Sequence, residues 1–193
     1  KVDYTLAGPQ RITEMCDSGK LDDVLIRGYK VLIDKTGVTD RLPPVLDIPN
    51  LYSAPTADAY QEAVEIFWFE ASHIPKYLAR GDLWTAKLRD ETLKKYCLKM
   101  MMWHAMSKPG QTPDVWHNGQ RMAAWFDPDL YIQVPDIFGG FDVTSALAAL
   151  HAQIDLFRKI ALDVAANNGF DYPQAIDDEI SMMIEKIITD HLT

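Results

Sequence analysis

The chain has 193 residues, of which 48% are hydrophobic and 24% charged, the composition of an ordinary globular protein that can bury a sizeable core. Its 28 acidic side chains outnumber its 19 basic ones, and the formal net charge of −9 disfavours a general nucleic-acid binder and suits a cationic ligand. Neither a signal peptide nor an apolar run of membrane length is apparent, so we expect no membrane partner.

The first part of the chain predicts short strands. Residues 1–6 alternate apolar and polar side chains and place a carboxylate, Asp3, on the face opposite the apolar one. Further extended segments are expected at residues 24–26 and 29–33, with a short helix at residues 12–18 before them. A carboxylate inside a short strand is disfavoured by propensity. Asp3 is therefore either exposed on an edge strand or a metal ligand presented by a sheet.

A proline-rich stretch separates this part from the rest. Four prolines between residues 41 and 55 exclude a regular helix and predict a stiff linker. We place the linker at residues 43–55, between a first domain of residues 1–42 and a second of residues 56–193.

The second domain predicts a helical bundle. From Thr56, a suitable N-cap, apolar residues at three- and four-residue steps predict a helix that meets a second one at Arg80-Gly81-Asp82. Two more long helices are expected at residues 143–168 and 173–191. The first helix carries Pro75, which predicts a kink that is either a cleft wall or an ordinary surface feature. A polar stripe, with Lys76 beside it, follows the same helix: Glu70, His73, Tyr77 and Arg80.

Local motifs do not name a reaction. The sequence has no P-loop, GxGxxG, HExxH or CxxC pattern, and its five histidines lack metal-ligand spacing. The evidence for a function therefore has to come from longer stretches.

Three such stretches, in order, resemble one family. They are KVDYTL with VLIDKTG, then FWFEASHIPKYLARGDLWTAK, then KYCLKMMMWHAM with LFRKIALDVAANNGFDYP. Together they resemble the aminoglycoside 6-adenylyltransferases, the streptomycin adenylyltransferase family, over nearly the whole chain. The resemblance implies an α+β, mostly α fold. Residues 1–42 would be the last strands of a nucleotidyltransferase-type mixed sheet, followed by a C-terminal helical bundle that binds substrate.

The resemblance also implies a reaction. Such enzymes transfer AMP from ATP to a hydroxyl of a cationic aminoglycoside such as streptomycin, with Mg²⁺ held by three carboxylates. Asp3 matches the third carboxylate. The Gly-Ser loop and the Asp-x-Asp motif of the first two are absent from this sequence, so we expect an incomplete chain that is inactive alone. The need for ATP implies a cytoplasmic location. We favour a monomer.

Individual roles follow from the same resemblance. By this resemblance Asp3 would be a metal ligand, and either Asp3 or Glu70 would be the general base. Lys76 and Lys87 match lysines that would bind the nucleotide, although either could be a solvated helix lysine. Substrate-binding candidates lie on the helix pair: Glu65, Trp68, His73, Tyr77 and Trp103, the last being also a candidate core residue.

Two other functions stay open. Kinship does not fix the acceptor, so another small hydroxylated metabolite could replace the aminoglycoside. A helical module that binds a cationic ligand without catalysis is the third possibility.

Overall fold

The computed structural model describes residues 4–45, 53–110, 112–115 and 117–192. The chain divides into two compact units, Lys1–Leu51 and Tyr52–Thr193. The predicted linker at residues 43–55 crosses this division, and its central part lies outside the described residues.

The predicted sheet of the first unit is wrong for the residues that the structure describes. They form helix α1 (Gln10–Ser18) and single 3₁₀ turns at Leu25–Arg27 and Val38–Arg41, and they contain no strand. A strand needs a hydrogen-bonded neighbour and a covered face, and an alternating sequence supplies neither. The apolar side chains behind the strand prediction are accordingly exposed: Tyr4, Leu6, Val24, Leu32 and Ile33. The described fold is therefore all helical.

The turn expected after the second extended segment is present and is organised by Asp34. Its carboxylate accepts hydrogen bonds from the backbone N–H groups of Thr36, Gly37 and Thr39 and from the Thr39 hydroxyl at 2.6 Å. The Thr39 hydroxyl and these amides hold the pKa of the Asp34 carboxyl well below its usual range. This unit is thus organised by turns and short helices.

The second unit is the predicted helical bundle. Its helices, in chain order, are α2 (Ala57–Ala71), α3 (His73–Ala79), α4 (Leu83–Met106), α5 (Met122–Trp125), α6 (Pro128–Tyr131), α7 (Val143–Asn168) and α8 (Gln174–His191), with a 3₁₀ turn at Val134–Ile137. Thr56 caps α2 by accepting from the Ala59 N–H at 3.2 Å, as predicted. Asp142 caps α7 in the same way through the Ser145 N–H at 2.8 Å.

Pro75 divides the first predicted helix into α2 and α3. Proline has no N–H to donate to the carbonyl of Ala71, and its ring clashes with that carbonyl. The structure shows the consequence, since α2 ends at Ala71 and α3 begins at His73. The Ser72 hydroxyl donates to the Phe69 carbonyl at 2.7 Å. The chain therefore turns at Ser72 without leaving this carbonyl unpaired.

Gly81 makes the sharp turn from α3 into α4. It has a φ of 77°, a left-handed conformation that glycine adopts without strain. The N–H of Gly81 donates to the Leu78 carbonyl at 3.0 Å and that of Asp82 to the Tyr77 carbonyl at 2.9 Å. This is the Schellman arrangement that closes a helix C-terminus. The predicted junction at residues 80–82 is confirmed.

Helices α2 and α8 both run antiparallel to α7. The Phe67 and Phe157 rings stack with centroids 3.5 Å apart, and the Tyr60 hydroxyl donates to the Ala161 carbonyl at 2.9 Å. Later residues of α2 thus meet earlier residues of α7. The Arg158–Asp177 pair joins α7 to α8 with the same antiparallel sense, because Glu185, further along α8, pairs with an earlier residue of α7, His151.

Helices α4 and α7 run parallel. Trp84 contacts Phe141 just before α7, and His104 near the end of α4 faces Asp163 near the end of α7. Two parallel neighbours need a long connection, which residues 107–142 supply with α5 and α6. The bundle core contains fully buried aromatic and aliphatic side chains from all four long helices, Trp68, Leu93, Phe157 and Ile184 among them. No helix in the described ranges combines the length and apolarity that membrane crossing requires.

Candidate functional site

Part of the predicted polar stripe forms a cluster where α2 and α3 face α4. Glu70 is 7% exposed, and both of its carboxylate oxygens lie 3.3 Å from Nη1 of Arg89 on α4. Hydrogen bonding to the Tyr77 hydroxyl, together with the charge of Glu70, raises the pKa of the Arg89 guanidinium above its usual value. The structure therefore brings Glu70 and Tyr77 together around a cation.

His73 extends this cluster towards the surface. Its Nδ1 lies 2.7 Å from the Phe69 carbonyl oxygen, which can only accept, so Nδ1 carries the proton and donates. Within the described residues Nε2 has no hydrogen-bond partner. The His73 ring lies between Phe69, whose side chain is 58% exposed, and Tyr77, with centroid distances of 4.5 and 6.4 Å. The ring is thus fixed in orientation and has one free nitrogen.

Lys76 and Arg80 line a different surface of α3. Together with His191 at the end of α8 they border a cleft of about 280 Å³, whose other lining residues are Ala79 and Ile187. Lys76 is half-buried and Arg80 exposed. Three of the five lining side chains are basic in a chain with a net charge of −9. We call this cleft the basic cleft.

Lys87, the other predicted nucleotide-binding lysine, is elsewhere. Its Nζ donates to the Gly139 carbonyl at 3.0 Å and thereby ties α4 to the loop before α7. The two lysines are therefore not brought together. Gly139 itself packs so closely that an added Cβ would lie 2.3 Å from the carbonyl oxygen of Ser145.

The remaining predicted substrate residues are dispersed. Trp68 is fully buried and Trp103 is 6% exposed, so neither is included in the candidate site. Glu65 is exposed and accepts from Gln61 Nε2 at 2.8 Å. Asp3, the predicted metal ligand and alternative base, lies outside the described residues.

A buried network explains why Trp68 is a core residue. Its Nε1 donates to the Tyr172 hydroxyl at 3.1 Å, and that hydroxyl donates to Asp177 at 2.8 Å. Arg158 donates to both oxygens of Asp177, at 2.7 and 2.8 Å, and Ser181 donates to the same carboxylate at 3.0 Å. Burial alone would raise the pKa of Asp177, but these donors hold it below its usual value. The network fixes α8 on α7.

A second polar cleft of about 280 Å³ lies at the other end of the bundle, between α4, α6 and α7. His104 lines it, with Nε2 3.3 Å from Asp163 and with Nδ1 lacking any partner in the described structure. Burial, followed by the charge of Lys108, lowers the pKa of His104. The Lys108 ammonium pairs with Asp127 at 2.5 Å.

Sequence reasoning missed Arg89 and His191. Arg89 lies in the charged first half of α4, where the spacing correctly predicts the local pairs Asp90–Lys94 and Glu91–Lys95. Its partner Glu70 is 19 residues earlier, beyond the reach of any spacing rule. A signal did exist for Arg80 and Lys76, which share one helix face, but nothing local indicates that the end of α8 completes their cleft.

No group of three His, Cys, Asp or Glu side chains that could hold a metal ion occurs among the described residues. We assign no step to Mg²⁺ from them.

A solved structure resembles this chain closely enough to define its class of fold. The match is to a crystal structure of an aminoglycoside 6-adenyltransferase from Bacillus subtilis, with a TM-score of 0.62 and 24% identity, over 70% of this chain and 51% of that one. The chain thus has the fold of part of such an enzyme. The streptomycin adenylyltransferase family model matches residues 1–187, and the chain belongs to this family, which confirms the family predicted from the sequence.

A curated relative points the same way. The aminoglycoside 6-adenylyltransferase of Bacillus subtilis (strain 168) is 24% identical over 159 residues, which cover 82% of this chain and 56% of the relative. The chain therefore spans about half the length of the relatives it matches.

Proposed function

We propose that this chain belongs to an aminoglycoside O-adenylyltransferase, in which its bundle binds the acceptor. The reaction would transfer AMP from ATP to a hydroxyl of streptomycin or of a similar aminoglycoside. The observation that carries the proposal is the match of the streptomycin adenylyltransferase family model to residues 1–187. The cluster of Glu70, His73, Tyr77 and Arg89 supports it, because a cationic, hydroxylated acceptor requires carboxylates, hydrogen-bond acceptors and aromatic faces.

In this reaction the acceptor oxygen attacks the α-phosphorus and loses its proton to a base. The bond from the α-phosphorus to the bridging oxygen breaks, and pyrophosphate leaves. Either Glu70 or Asp3 remains our proposed base, and the free Nε2 of His73 is well placed to accept a hydrogen bond from an acceptor hydroxyl. Asp3 and a Mg²⁺ ion belong to the proposal only through the family resemblance.

Arg89 has a specific consequence for binding. Its guanidinium already contacts Glu70, where a guanidino or amino group of the substrate would also bind. A cationic substrate must therefore share or displace this pair. Glu65 and the exposed ring of Phe69 would provide further contacts on the same helix.

The test is calorimetric titration of the chain with streptomycin, with and without Mg²⁺–ATP. We expect a dissociation constant in the micromolar range, and about tenfold weaker binding for Glu70→Gln, which removes one charged contact. Glu62→Gln, the same change at an exposed position of α2, is the matched control and should bind normally. Equal affinities of the two variants would exclude Glu70 from the acceptor site.

The Asp3→Ala variant distinguishes binding of the acceptor from binding of the nucleotide. It should leave titration with streptomycin alone unchanged. Absence of binding to streptomycin and related aminoglycosides under both conditions would contradict the proposed acceptor and favour another hydroxylated metabolite.

A further inference from the structure

A cavity of about 300 Å³ between α4 and the segment that connects it to α7 has no part in the proposed reaction. We call it the apolar cavity. Most of the side chains that line it are apolar: Leu98, Met101, Met122, Val134, Ile137 and Phe138. Cavities of about 150 Å³ with a lining of this kind stay dry and bind benzene. Twice that volume is sufficient for a molecule with two fused rings.

The charges around the apolar cavity exclude a charged ligand. Among the described residues that line it, Lys94 alone carries a charge, and its ammonium is already paired with Asp90 one turn earlier on α4. The same ammonium lies 5.1 Å from the centre of the Phe138 ring. A charged molecule would lose its hydration here without gaining a free counter-charge, which is costly. The cavity therefore suits neither a polycationic aminoglycoside nor a phosphate group.

Two polar side chains in the lining are available to orient an uncharged ligand. The Asn118 amide and the Tyr131 hydroxyl make no side-chain hydrogen bond with any residue that the structure describes. Small-molecule sites typically combine an apolar lining with a few polar groups of this kind. The thioethers of Met101 and Met122 add favourable contacts with an aromatic ring. The lining thus fits an aromatic molecule that carries a hydrogen-bonding group.

One wall of the apolar cavity has an unusual backbone. Within residues 117–121, three side chains other than glycine accompany left-handed backbone conformations, with φ values of 56°, 55° and 53°: His117, Asn118 and Arg121. Such conformations are uncommon, persist only where the surrounding structure enforces them, and cluster at ligand sites. Here the Trp125 indole donates to the Gln120 carbonyl at 2.9 Å and holds the wall in place. The cavity is therefore preformed.

We propose that the apolar cavity binds a small, uncharged aromatic molecule of one or two rings. Its rings would contact Met101 and Met122, and its polar group would bind to the Asn118 amide and the Tyr131 hydroxyl. This site is separate from the cluster around Glu70 and goes beyond the proposed function, because neither the acceptor nor the nucleotide phosphates fit its lining.

The experiment is titration of the whole chain with indole, an uncharged two-ring probe, followed by NMR of methionine methyl groups. The chain has eight methionines, so each signal can be assigned by substitution. The signals of Met101 and Met122 should shift with a dissociation constant of about 1 mM or below. Those of Met15 on α1 and Met182 on α8 should not, because neither lines the cavity.

Three variants test the position of the probe. Val134→Phe fills the cavity and should weaken indole binding at least tenfold. Leu162→Phe, at a 42% exposed position of α7, is the matched control and should bind indole normally. Tyr131→Phe removes only a hydroxyl and should weaken binding about threefold, the loss of one hydrogen bond.

The outcomes decide between a separate site and none. Unchanged signals of Met101 and Met122, or equal affinities of Val134→Phe and Leu162→Phe, would overturn the aromatic site. Saturating streptomycin or Mg²⁺–ATP should leave the indole titration unchanged. Competition by either compound would assign the cavity to the reaction itself and overturn its separation from the proposed function, whereas failure of streptomycin to bind would leave the indole result standing.

Discussion

The buried Arg158–Asp177 pair offers the sharpest test of the packing argument. Asp177 is 2% exposed and accepts four hydrogen bonds, two of them from Arg158. The change Asp177→Asn keeps the shape of the side chain but removes its charge and turns one acceptor into a donor. Breaking a buried ion pair costs about 3–5 kcal/mol. Because the Arg158 side chain is 33% exposed and partly solvated, we expect a loss near the lower limit, about 3 kcal/mol.

Urea and thermal unfolding followed by circular dichroism measure this loss. For a unit of this size, about 3 kcal/mol corresponds to a decrease of about 10 °C in Tm. The difference from the wild type should shrink as the pH falls below 3.8. The pKa of Asp177 is lowered in the folded state, so its contribution is present above the unfolded value and is lost in acid.

A double variant checks the cause. Arg158→Met with Asp177→Leu replaces both charges by apolar side chains and should recover most of the lost stability, because no unpaired charge stays buried. A single variant within about 0.5 kcal/mol of the wild type would refute the reasoning, since that is the range of ordinary surface substitutions. A double variant as unstable as the single one would show that shape, and not the unpaired charge, sets the cost.

Two further predictions concern the bundle ends. Because the pKa of His104 is lowered on folding, the wild type should lose stability as the pH falls below 6.5, and His104→Leu should abolish this loss. Urea unfolding midpoints at several pH values measure the effect. A variant whose midpoint changes with pH as steeply as that of the wild type would contradict the assignment. Gly139→Ala should cost about 1–3 kcal/mol, since its Cβ would press on the Ser145 carbonyl. Gly140→Ala, which meets only side chains, should cost clearly less in the same unfolding assay.

The helices of the bundle were predictable because their signals are local. Residues 143–168 were predicted as a helix, and α7 has those bounds, since its apolar spacing, the preceding Asp142 and the following Gly169 agree. The junction at Gly81 was predictable for the same reason, because a few neighbouring residues determine it.

The prediction of a sheet was wrong because strand pairing depends on residues that are distant in the sequence. Alternation in residues 1–6 indicates two faces, but a strand also needs partners, and the described part of the first unit supplies none. The same limit applies to the sites. Helix spacing predicts the stripe of Glu70, His73 and Tyr77. Arg89 joins this stripe, and His191 joins the basic cleft, only because the folded chain brings distant segments together.

The parallel run of α4 and α7 has a consequence for how the bundle assembles. Helices α2 to α4 form one hairpin of near neighbours in sequence, and α7 with α8 forms another. Each hairpin can close early, because its contacts span short stretches of chain. The contacts between them, such as Phe67 on Phe157, require the segment of residues 107–142 to close as a loop, which costs entropy only logarithmically in its length. Docking of the two halves is therefore the natural late step. Changes at exposed positions of the connecting segment should be tolerated far better than changes at the docked faces or at its own buried residues, such as Trp125, Phe126 and Leu130.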